Sequence, residues 1–279
     1  MKQTIIMSGG LGNQMFQYAL YCSMREKGIR VKIDISLYEF NRMHNGYMLD
    51  YAFGLNISHN KINKYSVLWT RLIRSNRAPF LLFREDESRF CDDVFTTYKP
   101  YIDGCWIDER YFFNIKKKII SQFSFRNIDQ KNLMVANMMK VCNSVSLHIR
   151  RGDYLQPQHW ATTGSVCQLP YYRNAIAEMN KRVSAPSYYV FSDDIAWVKE
   201  NLSLPNAVYI DWNKGEDSWQ DMMLMSHCKH HIICNSTFSW WGAWLNPRED
   251  KTVIVPCRWF QHSETPNIYP AGWVKVAID

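Results

Sequence analysis

Five short segments in the second half of the chain decide the fold: SVSLHI at residues 144–149, SYYVFS at 187–192, AVYID at 207–211, HHIICN at 230–235 and TVIVP at 252–256. Each has the length and composition of a buried strand. Helical patterns lie between them, as in PYYRNAIAEMNKRV at 170–183, EDSWQDMMLMSHC at 216–228 and TFSWWGAWLN at 237–246. Strands that alternate with helices predict a parallel, doubly wound α/β sheet.

The start of the chain shows the same alternation once. Residues 4–7 are predicted to form a buried strand, residues 13–27 a helix that ends at Gly28, and residues 30–35 a second strand.

The stretch from 36 to 140 has a weaker pattern, in which helices are expected near residues 67–73 and 133–142. The domain boundary is expected just before Val141. The predicted domains are therefore residues 1–140 and 141–279.

Composition excludes several classes of protein. The 279 residues are 47% hydrophobic and 21% charged, as in soluble globular enzymes rather than disordered or collagen-like chains. A net charge of +7 is too modest to predict a nucleic-acid partner. No apolar run approaches the ~20 residues of a membrane span, and the start lacks a secretory signal. The eight cysteines include no C-x-x-C pair, which favours reduced thiols in a cytoplasmic protein.

The predicted strands of the second half end in polar residues. The first ends in HIRRGD at 148–153, the second in SDD at 192–194, and the fourth in NST at 235–237. Ligands of open parallel sheets bind beyond the carboxyl ends of the strands. These three segments therefore predict a binding site.

Each segment suits one part of a nucleoside diphosphate. Arg150 or Arg151 can hold phosphate oxygens through a fork of N–H donors. The turn at 236–238 opens a helix, whose N-terminus favours an anion. Asp193 or Asp194 can accept the paired N–H donors on the Watson–Crick edge of guanine. This arrangement predicts guanine rather than adenine or uracil.

Structural roles compete with these interpretations. Arg151 and Asp153 are expected to form a structural salt bridge, while Asp194 and Ser236 could cap the helices that follow them. His148 could be a core histidine or a ligand contact. Arg150 is the hardest to explain structurally, because a lone guanidinium at the carboxyl edge of a sheet needs an anion.

Two common cofactor motifs are incomplete. Gly10-x-Gly12 is followed by Met15 where a dinucleotide fingerprint has its third glycine, so NAD binding is not expected. The turn is interpreted as a loop that lets backbone approach a ligand between two lobes. No D-x-D pair occurs to hold a divalent cation, so arginine is expected to supply the positive charge for the leaving group.

The segment KINKYSVLWTRLIRSNRAPFLLFR at residues 61–84 carries six basic residues and no acid. Basic residues among Trp, Leu, Ile and Phe could lie on an anionic membrane surface. A solvated basic helix or loop is the alternative.

Four motifs together resemble the bacterial alpha-1,2-fucosyltransferases of glycosyltransferase family 11. They are SGGLGNQMFQYA at 8–19, HIRRGDY at 148–154, FSDD at 191–194 and NSTFSWWGAWLN at 235–246. The set is specific, whereas HxRRxD alone is shared with the wider fucosyltransferase superfamily.

The resemblance implies a GT-B fold of two Rossmann-like lobes with a cleft between them. It implies transfer of L-fucose from GDP-fucose, with inversion and without metal or other cofactor, to the 2-hydroxyl of a terminal β-galactoside. It fits a cytoplasmic bacterial enzyme that decorates lipid-linked O-antigen units, with a peripheral position on the inner face of the inner membrane as the alternative to a freely diffusing one.

The resemblance also assigns residues. Arg150 would be the catalytic group that holds the β-phosphate, within a donor site of His148, Arg150, Asp153, Asp193, Asp194, Asn235, Ser236, Thr237 and Phe238. Facing the pyrophosphate and acceptor across the cleft would be Gly10, Gly12, Asn13 and Gln14. The catalytic base stays unassigned, with Asp34, His44 and Asp50 as candidates by position.

Overall fold

The structure is a computed structural model that describes residues 2–39, 45–57, 64–75, 77–86, 89–261 and 268–279. The chain divides into two compact units, Met1–Arg126 with Pro266–Tyr269 and Asn127–Thr265 with Pro270–Asp279. This division lies before the 140/141 boundary expected from the sequence. The intervening helix, at 130–140, belongs to the second unit.

The first unit is built on a four-stranded parallel sheet with the order β2-β1-β4-β3. The predicted helices at 13–27 and 67–73 and the strands at 4–7 and 30–35 are confirmed, with ends shifted by up to three residues. The described elements are β1 (Gln3–Ile6), α1 (Leu11–Glu26), β2 (Val31–Asp34), α2 (Leu49–Phe53), α3 (Lys64–Arg74), β3 (Leu82–Arg84), β4 (Tyr101–Asp103) and α4 (Lys116–Gln122).

The second unit is built on a six-stranded parallel sheet with the order β10-β9-β8-β5-β6-β7. All five strands predicted in this half are present, and β10 was missed. The described elements are α5 (Gln130–Lys140), β5 (Asn143–Ile149), α6 (Pro157–His159), α7 (Leu169–Arg182), β6 (Pro186–Ser192), α8 (Ile195–Asn201), β7 (Val208–Ile210), α9 (Trp219–His227), β8 (His230–Ile232), α10 (Thr237–Leu245), β9 (Val253–Pro256) and β10 (Val274–Val276). The α/β class with parallel sheets is confirmed.

Strand β5 is central in this sheet and buried on both faces. Val145, Leu147 and Ile149 pack with residues of α7 in the hydrophobic core. On the other face, the Ser146 Oγ lies 2.8 Å from Nδ1 of His231 and fixes that buried ring. The strand alternates apolar and polar residues, yet both faces are buried, because Ser146 and His148 on the second face have buried hydrogen-bond partners.

The order of the strands creates a switch point beside β5. The chain runs from β5 to β6 and β7 on one side, and then returns to place β8 on the other side of β5. The crevice at such a reversal, beyond the carboxyl ends of the two central strands, is where open α/β sheets bind ligands. Here those two ends are the residues after Ile149 and after Ile232.

No helix among the described residues has both the length and the apolar character needed to cross a bilayer.

Candidate functional site

Arg150 follows β5 directly, and its guanidinium is paired with Asp153. Nε donates to Oδ1 at 2.9 Å and Nη2 donates to Oδ2 at 2.7 Å, which is a bidentate ion pair. The guanidinium carbon also lies 4.9 Å from the ring centroid of Tyr154. The expectations of a lone Arg150 and of an Arg151–Asp153 salt bridge are therefore wrong. The turn after β5 brings Asp153, three residues further along the chain, next to Arg150 instead.

The pairing still leaves Arg150 able to bind a ligand. Two of the five N–H donors that a guanidinium carries are used by Asp153. The side chain retains 25% of its exposure. The geometry gives a fixed cation with donors to spare at the carboxyl end of the central strand.

Arg151 points toward β6 and α8. Its Nε lies 3.3 Å from Oδ2 of Asp194, and its guanidinium carbon lies 3.8 Å from the ring centroid of Trp197. The backbone N–H of Arg151 donates to Oδ1 of Asp193 at 2.8 Å. Asp194 also caps α8, because its Oδ1 accepts from the backbone N–H of Trp197 at 3.1 Å. Both aspartates thus hold the loop after β5 against the end of β6.

Gly152 makes this loop possible. A Cβ at that position would lie 2.8 Å from Oδ2 of Asp193. The glycine therefore lets the loop pack closely on the Asp193 carboxylate. The proposed contact of Asp193 or Asp194 with guanine stays a prediction.

The residues just after β8 supply two buried polar atoms that have no hydrogen-bond partner among the described residues. Asn235 donates both Nδ2 hydrogens to the backbone carbonyls of Thr163 and Trp259, each at 2.9 Å, and its Oδ1 has no donor in the described part of the chain. Ser236 is the N-cap residue of α10, yet its Oγ makes no capping bond and no other hydrogen bond within the described residues. An unpaired buried polar atom costs roughly 1–3 kcal/mol, so this is where a ligand's hydrogen bonds would stabilise the protein.

The start of α10 completes this part of the site. Thr237 begins the helix and Phe238 follows it, so the first backbone N–H groups of α10 point toward the Asn235–Ser236 turn. A helix N-terminus beside an arginine is an arrangement that can hold an anion.

His148 is a core histidine at the end of β5. It is 9% exposed, and its Nδ1 lies 3.3 Å from the Sγ of Cys234. Burial, with a smaller contribution from the Arg150 charge, lowers the pKa of His148 to about 3. The ring is therefore neutral at physiological pH, and its centroid lies 6.0 Å from that of Phe238.

Tyr154 was not singled out from the sequence, although it closes the HIRRGDY motif. Its hydroxyl donates to the backbone carbonyl of Asn235 at 2.8 Å, which ties the loop after β5 to the end of β8. Gly164 packs against the same residue, since a Cβ there would lie 1.9 Å from the Tyr154 carbonyl oxygen. The motif was the signal that could have found Tyr154.

The glycine-rich loop lies in the first unit. Gly9 has a φ of +84°, Gly10 is the N-cap residue of α1, and Gly12 and Asn13 lie in the first turn of that helix. A Cβ on Gly9 would lie 2.5 Å from Nδ2 of Asn13, so glycine is required there.

Gln14 has a structural position in this loop. The side chain is fully buried, Nε2 donates to the carbonyls of Gly9 and Gly46, and Oε1 accepts from the backbone N–H of Met48 at 2.8 Å. These bonds join the loop to the chain before α2. They leave Gln14 holding the backbone rather than facing solvent.

Two candidates for the catalytic base are held in local hydrogen bonds. The carboxylate of Asp34 accepts from the backbone N–H of Ser36 at 2.8 Å and from the hydroxyl of Thr70 at 2.7 Å. Asp50 accepts from the hydroxyl of Tyr47 at 2.9 Å. His44, the third candidate, lies outside the described residues.

Known proteins resemble this chain along its whole length. The sequence model of the family described as "Glycosyl transferase family 11" matches residues 1–277. An alpha-1,2-colitosyltransferase from Escherichia coli is 33% identical over 284 residues, which covers 97% of both chains. The O-antigen biosynthesis glycosyltransferase WbnK from Escherichia coli is 28% identical and covers 97% of this chain and 99% of its own.

A primate protein matches a shorter part. The galactoside alpha-(1,2)-fucosyltransferase 1 of Leontopithecus chrysomelas is 29% identical over 147 residues, which is 48% of this chain and 40% of the relative. The family suggested by the four motifs is confirmed, and two α/β units with parallel sheets agree with the GT-B class. The second unit has an arginine and the N-terminus of a helix at its switch point, and the family model matches residues 1–277. The chain therefore belongs to glycosyl transferase family 11.

Proposed function

We propose that the protein transfers L-fucose from GDP-fucose to the 2-hydroxyl of a terminal β-galactoside, with inversion at the anomeric carbon. The acceptor is a surface-polysaccharide unit of the O-antigen type, carried on a lipid. The transfer needs no metal, because side-chain and backbone donors stabilise the leaving group.

The observation that carries the proposal is the set of groups at the switch point of the second unit. Arg150 is held rigidly by Asp153, while the Ser236 Oγ and Asn235 Oδ1 are buried and have no hydrogen-bond partner in the part of the chain that the structure describes. A diphosphate accepts hydrogen bonds from the arginine, the serine hydroxyl and the start of α10. The Asn235 oxygen needs a donor, which a nucleoside hydroxyl supplies.

The proposed reaction is an inverting displacement. The acceptor oxygen forms a bond to the anomeric carbon on the face opposite GDP, and the bond from that carbon to the β-phosphate oxygen breaks. The electron pair leaves with GDP, so negative charge grows on the β-phosphate in the transition state. The proton of the acceptor hydroxyl passes to the departing phosphate or to water. The guanidinium that Asp153 fixes and the N-terminus of α10 would stabilise that charge as preorganised groups, which lower the barrier most effectively.

The test is calorimetric titration of the full-length protein with GDP, UDP and ADP in the presence of EDTA. Binding of GDP alone, weakened by Arg150→Ala, is expected. Failure of GDP to bind without metal would contradict the proposal, and heat with a galactoside but not with GDP would favour a non-catalytic carbohydrate-binding protein.

A second donor is favoured by a specific observation, namely the 33% identity to a colitosyltransferase over 97% of the chain. Colitose is fucose without its 3-hydroxyl. GDP-fucose and GDP-colitose are compared by their kcat/KM values with the same galactoside acceptor, and GDP-mannose serves as a third donor. A site that hydrogen-bonds the 3-hydroxyl prefers fucose strongly, whereas comparable values for fucose and colitose would show that the site ignores this hydroxyl.

We further propose that the first unit contacts an anionic membrane surface through the outer face of α3. Val67, Thr70 and Ile73 form the buried face of the helix, yet Leu68 and Trp69 on the opposite side are 63% and 46% exposed. Phe80, shortly after the helix, is 73% exposed. Large exposed apolar side chains match the chemistry of a bilayer surface. Arg74 and Arg84 are paired with Asp103, so the exposed Arg77 is a basic side chain that can face anionic lipid beside them.

Sedimentation with vesicles tests the membrane contact. Wild type is expected to bind vesicles rich in phosphatidylglycerol better than neutral ones, and Leu68→Ser with Leu72→Ser is expected to lose this binding. Met134→Ser with Met138→Ser, on the exposed face of α5 in the second unit, is the matched control. Equal binding by both double variants would contradict the assignment.

A further inference from the structure

A cavity of about 700 Å³ opens at the carboxyl ends of the strands in the first unit. Its lining includes residues that follow three of the four strands, namely Ser8 after β1, Glu85 after β3 and Gly104 after β4. A cavity of this size can hold one or two sugar rings. The position is where a parallel sheet binds its ligand.

The Asp103 carboxylate in the lining is buried and only half satisfied. The residue is 4% exposed, and its Oδ2 accepts from Nε of Arg74 at 3.0 Å and from Nη2 of Arg84 at 3.5 Å. Oδ1 is buried and has no hydrogen-bond partner in the described part of the chain. An unpaired carboxylate oxygen is a strong hydrogen-bond acceptor, so a ligand with a donor at this position would be stabilised.

Glu85 presents a second fixed carboxyl to the same cavity. Its Oε2 accepts from the backbone N–H of Cys105 at 2.7 Å, and its Oε1 accepts from that of Trp106 at 3.0 Å. A Cβ on Gly104 would lie 2.5 Å from the Cβ of Glu85, so glycine is needed to admit this side chain. Burial raises the pKa of Glu85 to about 7, despite the two backbone bonds that lower it.

The lining selects a class of ligand. Arginines 71, 74 and 84 provide donors beside two carboxyl acceptors, and Leu37 is the one aliphatic side chain among the described lining residues. Sugar hydroxyls donate and accept together, which matches alternating carboxylates and guanidinium groups. An apolar ligand would leave these groups unpaired, and a phosphate would meet the carboxylates of Asp103 and Glu85 at short range.

We propose that this cavity binds a neutral hexopyranose of the acceptor, with Asp103 Oδ1 and the Glu85 carboxyl accepting hydrogen bonds from its hydroxyls. That this sugar belongs to the acceptor rests on the proposed function, whereas the binding of a sugar rests on the cavity alone.

The experiment is saturation-transfer NMR and titration with methyl β-D-galactopyranoside, using the full chain with and without GDP. Asp103→Asn and Glu85→Gln are expected to weaken galactoside binding by about 10-fold or more, as loss of a charged hydrogen bond does. GDP affinity is expected to stay unchanged. Glu26→Gln, an exposed carboxylate of the same unit, is the matched control.

A steric variant covers the case in which either carboxyl variant unfolds. Ser75 lies at the rim of the cavity and is exposed, so Ser75→Trp is expected to fill it and abolish galactoside binding while melting normally. Wild-type affinity for the galactoside in Ser75→Trp, or displacement of the sugar by inorganic phosphate, would overturn the proposal. If wild type binds GDP but no galactoside, this proposal fails alone; if it binds galactoside but no GDP, the donor assignment fails instead.

Discussion

The guanidinium of Arg150 forms two parallel hydrogen bonds with the carboxylate of Asp153, at 2.9 Å and 2.7 Å. The pair fixes the direction of the arginine before any ligand arrives, because a planar fork that is bound along one edge has little freedom to rotate. The consequence is a cation that is held at the end of β5 with its remaining donors in place.

Replacing Arg150 with lysine tests this fixed direction separately from charge. Arg150→Lys keeps the charge but loses the fork, so turnover is expected to fall on the order of 100-fold, nearly as far as in Arg150→Ala. The measurement is kcat in a fucosyl-transfer assay at saturating donor. Arg151→Lys is the matched control and is expected to keep most turnover, because Arg151 faces Asp194 and Trp197. Equal losses in both lysine variants would reject the distinct role of Arg150.

Ser236→Ala separates stability from binding. The hydroxyl makes no hydrogen bond in the described structure, so its removal is expected to leave the melting temperature unchanged or slightly raised. GDP affinity is expected to fall about 10-fold or more, since one hydrogen bond to a charged phosphate is lost. Calorimetry and thermal melting measure the two effects. A lower melting temperature with unaltered GDP affinity would show that the serine is structural.

Gly164→Ala tests the packing beneath the donor site. A Cβ would lie 1.9 Å from the carbonyl oxygen of Tyr154, so the loop that carries Tyr154 must move. We expect a loss of at least about 3 kcal/mol in the free energy of unfolding, measured by urea denaturation.

The matched control for that variant is Gly215→Ala. Gly215 has a φ of +58° but nothing within 4 Å of an added Cβ, so its cost is the backbone strain alone, about 1 kcal/mol. A Gly164→Ala protein as stable as the control would show that the close packing on Tyr154 is unimportant.

The pH dependence of stability reports on Glu85. Burial, with smaller contributions from the neighbouring Asp108 and Asp103, raises the pKa of this carboxyl from its ordinary 4.5 to about 7. Between these two values the folded state binds more protons than the unfolded state, so the contribution of Glu85 to stability declines as pH rises from about 4.5 to 7.

Glu85→Gln removes this decline. The free energy of unfolding of the variant, relative to wild type, is expected to rise between pH 5 and pH 7.5 in urea titrations. The difference is needed because His148, whose pKa is lowered to about 3, gives wild type the opposite trend below its ordinary pKa of 6.5. A difference that is flat with pH would contradict the raised pKa of Glu85.

The second half of the fold could be predicted because its strands carry their signal locally. Segments such as SYYVFS and TVIVP are apolar enough to indicate burial on both faces, and the helices between the strands force a parallel sheet. In the first half, β3 and β4 have three residues each, which is too short for a period to be seen. The cavity beside Glu85 and Asp103 depends on those two strands and was therefore missed.

The sequence by itself determined that Arg150, Asp193 and Ser236 follow strands of one parallel sheet, since the direction of the strands places such residues at one edge. Only the tertiary structure decided that β8 lies beside β5, and that Asp153 binds Arg150 rather than Arg151. The physical reason is that hydrophobic periodicity records how deeply each residue is buried. The choice of a neighbouring strand depends on contacts between residues far apart in the chain. The choice of a partner for a charge depends on the direction in which each side chain points.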